Sequence, residues 1–302
     1  MNKLNENIFH LYNKWKSGYV RKENSLRMRL DKFTNEKDRH DDKYHISEDG
    51  EHVDCDESIV ITDSDLINGK FPIPFGKVKG DFDCRECKSL ISLEGAPKEV
   101  DWSFWSYSCP NLTSLVRAPE KVGNDFDCSE CPITSLEGAP QIVKGDFVCN
   151  DCSELTSLEG APKEVGRSFY THDCPNLTSL VGAPKEVGWS FDCYSCENLT
   201  SLVGAPEYVG KDFSCHECPK LNSLKGAPKE VGGGFVCSDC LNLTSLEGAP
   251  KKVVLWFACA GCKSLTSLEH LPKEIGELEV DMRFMGKIPS DILVKKRNIT
   301  YE

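Results

Sequence analysis

The stretch Phe147-Val148-Cys149-Asn150-Asp151-Cys152-Ser153-Glu154-Leu155-Thr156-Ser157-Leu158-Glu159-Gly160-Ala161-Pro162-Lys163-Glu164-Val165 decides the fold, because it returns along the chain with few changes. Its proline recurs at Pro97, Pro119, Pro140, Pro162, Pro184, Pro206, Pro228, Pro250 and Pro272, in steps of 22 residues with a single step of 21. The short step has a visible cause: Cys131-Pro132-Ile133 reaches its apolar residue one position sooner than Cys152-Ser153-Glu154-Leu155. An earlier copy opens at Val78, Phe82, Cys84 and Cys87 without the Ala-Pro entry, and a degenerate one continues as Ile275, Leu278 and Val280. Self-similarity at such a period is the mark of a solenoid, here of nine to ten coils over about residues 78–280.

The alternation inside one copy says how a coil folds. Phe-x-Cys is a period-2 pair, so both side chains point to one face of a short strand. A single such strand cannot bury its Phe, whereas parallel stacking at about 4.8 Å makes a continuous Phe and Cys ladder. The return limb, Leu-Thr-Ser-Leu-Glu-Gly-Ala-Pro, meets Gly and Pro within two turns, which excludes a helix. It is expected as extended or single-turn 3₁₀ backbone, slim enough for the solenoid to curve only gently.

The unit resembles the leucine-rich repeat, Leu-x-Leu-x-x-Asn/Cys-x-Leu, with Phe and Cys in the paired apolar sites and the second Cys at the Asn/Cys site, shifted by one residue. It is similar to short repeats of phage, large-DNA-virus and bacterial proteins. The resemblance spans some two thirds of the chain. It implies a parallel β-sheet solenoid with a concave strand face that recognises proteins.

Solenoid ends need covers. Ser58-Ile59-Val60-Ile61 with Leu66 and Pro72 reads as an N-side cap, and Glu277 to Val280 with Met282, Phe284, Ile288 and Ile292 as a C-side cap. Before the array, Leu4, Ile8, Leu11 and Trp15 fall on one helical face, and Leu26, Leu30 and Phe33 suggest a second helix. The domain reading is a helical segment 1–33, a solvated acidic linker 34–57, and a capped solenoid 58–302. The first helix offers anchors for another protein's groove, or a lid over the solenoid's first edge.

The 302 residues carry 36 basic and 48 acidic side chains, a net charge of −12. Phosphate binding needs a basic footprint, so a dedicated nucleic-acid binder is not expected. No apolar run is long enough to span a membrane and no secretion leader is evident, so a cytoplasmic protein is expected, in a host's cytoplasm if the viral resemblance holds. No nucleophile, phosphate-cradling or zinc-hydrolase motif occurs. The expectation is a non-catalytic chain without a cofactor; oligomeric state is not encoded in any feature of the sequence.

Seventeen cysteines invite a metal reading. Neighbouring pairs such as Cys128, Cys131, Cys149 and Cys152 match a four-thiolate zinc template. That spacing, however, follows automatically from the repeat. Where the first Cys is missing, Ser106 and Thr171 replace it, small residues that are not usual zinc ligands. Buried thiols acting as small hydrophobes are therefore expected, reduced in a reducing compartment. A thiolate metal-binding repeat protein, holding zinc or an iron–sulfur cluster, is the alternative.

Function is expected where the copies differ. Leu-Thr-Ser-Leu, Ala-Pro and Phe barely change, while the positions flanking and between Phe and Cys change freely. Trp102, Arg167, Trp189 and Lys211 stand two places before Phe and Trp256 one place before it; Trp105 and Tyr170 follow Phe directly, and Tyr107, His172, Tyr194 and His216 follow the first Cys position. By alternation the last three rows point away from the core. Aromatic anchors with polar neighbours are the composition of binding hot spots. Acidic residues border them, among them Asp125, Glu130, Asp146, Asp151, Asp173, Asp212 and Glu217. The expected partner is a protein offering apolar pockets edged by Lys or Arg; the competing role for the aromatics is stacking on one another across strands.

Overall fold

The computed structural model describes residues 26–33 and 43–300. Among these residues the chain winds as a parallel β-solenoid, and each coil contributes two strands rather than the single one expected. The first follows the proline, as in Glu164–Val165, and the second carries the phenylalanine, as in Phe169–Tyr170. Both stack in register: Val165 beside Val187, Phe169 beside Phe191. The valine sheet has eleven strands and the phenylalanine sheet twelve. The return limb is extended but turns early enough for its β-branched valine to form a ladder of its own. The corner before it requires a left-handed residue: Gly160 has φ +89°, and a Cβ there would lie 2.4 Å from the backbone nitrogen of Glu137 in the coil below.

Between the sheets lies one continuous core. The Phe rings from Phe82 to Phe257 stack at centroid separations of 5.0–5.4 Å, all fully buried. All seventeen cysteines are buried, and none forms a disulfide. The second cysteine of each coil has a specific task. After the Phe strand the chain turns through a left-handed residue, as at Glu130 (φ 56°) and Asp173 (φ 55°), and the last strand carbonyl leaves the ladder. The thiol of the following coil donates to that carbonyl: Cys131 to Ser106 O at 3.2 Å, Cys196 to Thr171 O at 3.4 Å, Cys262 to Cys237 O at 3.1 Å. This explains why the second position is always Cys in the nine copies, while the first accepts Ser or Thr.

Elements outside the repeat flank both ends of the array. Where an acidic linker is expected, Tyr44–Ile46 and Val53–Cys55 form an antiparallel hairpin that joins the valine sheet. Its buried Tyr44, Val53 and Cys55 alternate with polar residues, a strand pattern masked by the charge density. A helix over residues 26–33 buries Leu26, Leu30 and Phe33 as expected. Phe33 meets Tyr44 and Phe75 edge-on, at 6.0 Å each. Leu4, Ile8, Leu11 and Trp15 lie outside the described residues. At the other end Glu274–Asp281 and Leu293–Thr300 pair as long parallel strands. Phe284 is buried beneath them, whereas Met282, expected in that cap, is exposed. No helix among the described residues is long and apolar enough to cross a membrane.

Candidate protein-docking face

The outer side of the phenylalanine sheet brings the outward rows side by side, each residue one strand from its counterpart in the next coil. The row preceding Phe, Trp256 excepted, proves to be scaffold. Its side-chain oxygens accept the backbone N–H of the coil above: Asp125 from Asp146 at 2.8 Å, Asp146 from Ser168 at 2.8 Å, Asp212 from Gly234 at 2.8 Å. Three of the acidic residues expected to border a docking site thus hold coil to coil. Asparagine side chains tie coils in a similar way: Asn111 and Asn176 each donate to a carbonyl of the preceding coil, Lys88 O and Ser153 O, at 2.8 Å.

The aromatic residues fall into groups, each held by a cation or by stacking. Near the N-terminal end, Arg85 donates to the Tyr107 hydroxyl at 2.7 Å and to Asp83 at 2.9 Å, and its guanidinium lies 5.2 Å from the Trp105 ring. Trp105 and Tyr107 are half-buried there, while Trp102 stands clear at 61% exposure. Sequence reasoning missed Arg85; the opening coil lacks Ala-Pro, but alignment on Cys84 and Cys87 puts Arg85 in the Tyr107 row.

Further along, His172, Tyr194 and His216 stack in file at 4.3 and 4.5 Å. His172 Nδ1 lies 2.8 Å from Asp173, and His216 Nδ1 is 2.6 Å from Ser214 Oγ. Trp189 lies between two cations, Lys211 Nζ at 3.9 Å and the Arg167 guanidinium at 5.4 Å. Such contacts hold the ring in one orientation and are worth about 0.5–1 kcal/mol each at exposed sites. Tyr170 is half-buried in the row beneath. Trp256 is set apart from both groups: its indole lies against Gly234 of the preceding coil, where a Cβ would come within 2.0 Å of the ring. Trp189 and Trp256 remain 43% and 36% exposed.

Two carboxylates sit low in this face. Burial raises Asp127, and burial pushes Asp192 up to about 6, opposed by the nearby His172. The native state therefore holds the Asp192 proton more tightly than the unfolded chain does. Stability falls as pH rises from the ordinary carboxyl value to about 6, and stays at that lower level above it. Asp192→Asn is expected to stabilise the protein by about 1–2 kcal/mol at neutral pH and negligibly at about pH 4. Urea midpoints at the two pH values test this, and an equal gain at both would contradict it.

Cys128, Cys131, Cys149 and Cys152 do not converge on a centre. Their sulfurs are 3.2–3.5 Å from separate carbonyls, those of Val148, Ser106, Tyr170 and Cys128. Among the described residues, only Asp151, His172 and Asp173 bring three potential ligand atoms within 4.8 Å of one another. That trio contains the His172–Asp173 pair already described. No family model, curated protein or solved structure matches this chain.

Proposed function

We propose that this chain is a non-catalytic, cytoplasmic interaction scaffold that binds a protein through the outer face of its phenylalanine sheet. The observation that carries the reading is the division of labour within each coil. Phe, Leu and Cys fill the core and one outward row ties coil to coil. The side chains that vary between copies are left to form cation-held aromatic groups on one surface. Trp102, Trp189 and Trp256 present large apolar area there at little entropic cost, the usual economy of a hot spot. The turns that follow the Phe strands carry negative charge at Glu130, Asp151, Asp173 and Glu217. A partner with apolar pockets rimmed by Lys or Arg fits that combination.

The unit itself is best described as a short leucine-rich repeat whose return limb has gained a second ladder. Seventeen cysteines without a disulfide suit a reducing cytoplasm, a host's if the chain is viral. Thiols aimed at carbonyls support packing rather than metal binding.

The test is a variant with Trp102, Trp189 and Trp256 changed to Ser. All three are surface residues, so circular dichroism and the urea midpoint should change little. Affinity for a partner photo-cross-linked from the neighbouring Lys211 position should fall by at least about thirtyfold, the equivalent of one hot spot. Undiminished affinity would remove the face from consideration.

A further inference from the structure

The C-terminal end differs from the rest of the molecule in charge and in pairing. The strand Leu293–Thr300 pairs on one side with Glu274–Asp281 and, among the described residues, has no strand on the other. An eight-residue edge of this kind presents a row of unpaired N–H and C=O groups, a template for another strand. The phenylalanine sheet ends at its opposite edge in only two residues, Ile59–Val60.

The register shows what the edge selects. Phe257 is beside Leu278, and Leu278 is beside Arg297. The column of apolar side chains running through the core therefore terminates in a guanidinium, and Arg297 is exposed. Two residues earlier Lys295 is also exposed, and Leu293, beside the exposed Glu274, is 60% exposed. Lys296, on the other side, already pairs with Glu277 at 3.0 Å. Among the described residues neither Lys295 nor Arg297 has an ion-pair partner. Residues 282–300 hold five basic side chains and one acidic, in a chain whose net charge is −12.

We propose that this edge receives an extended acidic segment of a partner protein as an added strand, with carboxylates opposite Lys295 and Arg297. Main-chain hydrogen bonds supply the pairing and the charged side chains supply the selection, the usual logic of strand addition. A second copy of the same edge is the disfavoured occupant, because it would set like charges opposite one another. This surface lies at the end of the solenoid and is independent of the aromatic face, so the two readings stand or fall separately.

The experiment uses the full chain and a fluorescein-labelled, end-blocked ten-residue peptide of alternating glutamate and valine, with a lysine–valine peptide as control. Fluorescence anisotropy should show saturable binding of the acidic peptide only, weakening as salt shortens the Debye length. Hydrogen exchange should slow within residues 293–300 on peptide addition. Lys295→Glu with Arg297→Glu changes side chains already in solvent, and circular dichroism should be unaltered while affinity falls by about tenfold or more. The proposal is overturned by equal binding of both peptides, by unchanged affinity in the charge-reversed protein, or by no saturable binding up to about 1 mM peptide. Sedimentation showing a dimer that this charge reversal alters would assign the edge to a second copy and also overturn it.

Discussion

Phe147→Ala should destabilise the solenoid by about 3–5 kcal/mol, the usual cost of emptying a buried aromatic site. Phe147 is fully buried and stacks on Phe126 at 5.4 Å and Phe169 at 5.0 Å, so truncation removes two ring contacts at once. Relaxation is limited. The coils above and below are held at strand spacing by the phenylalanine sheet, where Phe147 is in register with both Phe126 and Phe169. In a solenoid each coil leans only on its neighbours, so a mid-array defect also uncouples the two halves. Urea unfolding followed by circular dichroism should show a lower midpoint and a broadened or split transition. Phe147→Leu, which keeps most of the volume, should cost about 1–1.5 kcal/mol. A loss for Phe147→Ala below about 1 kcal/mol would mean that the rings do not form the packed column described.

The second large effect is chemical. In the reduced native protein the seventeen thiols should react with a thiol reagent at least about a thousandfold more slowly than in denaturant, where all should react promptly. Two factors combine. Every cysteine is buried, so the reagent waits for an opening of the array. Burial also disfavours the thiolate: it pushes Cys174 up to about 11 and Cys218 up to about 12, leaving about a thousandth or less as the reactive form near pH 8. Ends open more readily than the middle, so mass spectrometry after brief labelling should find Cys55, Cys259 and Cys262 modified before Cys149 or Cys193. Prompt reaction at most sites would invert the inside–outside assignment and remove the docking face with it.

These expectations rest on features of unequal visibility in the sequence. The Phe and Cys positions were readable because burial by alternation is a local property, and a repeat writes it out many times. The outward placement of Trp105, Tyr107 and Tyr170 followed from the same alternation, whereas Trp102 and Trp189, two places before an inward Phe, are exposed because the chain turns a corner there. The cation partners of the rings were not readable: Arg167 and Lys211 are each 22 residues from Trp189 and meet it only because successive coils stack in register. The roles of Asp125, Asp146 and Asp212 were hidden for the same reason. A carboxylate beside a Phe reads as surface charge until the N–H it accepts from the next coil is seen.

The sequence by itself determined the period, the coiled architecture and the side of each strand that faces the core. These depend on spacing along one chain, and Phe, Leu and Cys recur at spacings that permit one burial scheme. Only the tertiary structure decided the second sheet, the folded hairpin at Tyr44–Cys55, the thiol-to-carbonyl bonds and the charged open edge at Leu293–Thr300. Each of these is settled by which backbone group of a neighbouring coil comes within hydrogen-bonding reach. That proximity is set by stacking at strand spacing, not by any residue's own preference.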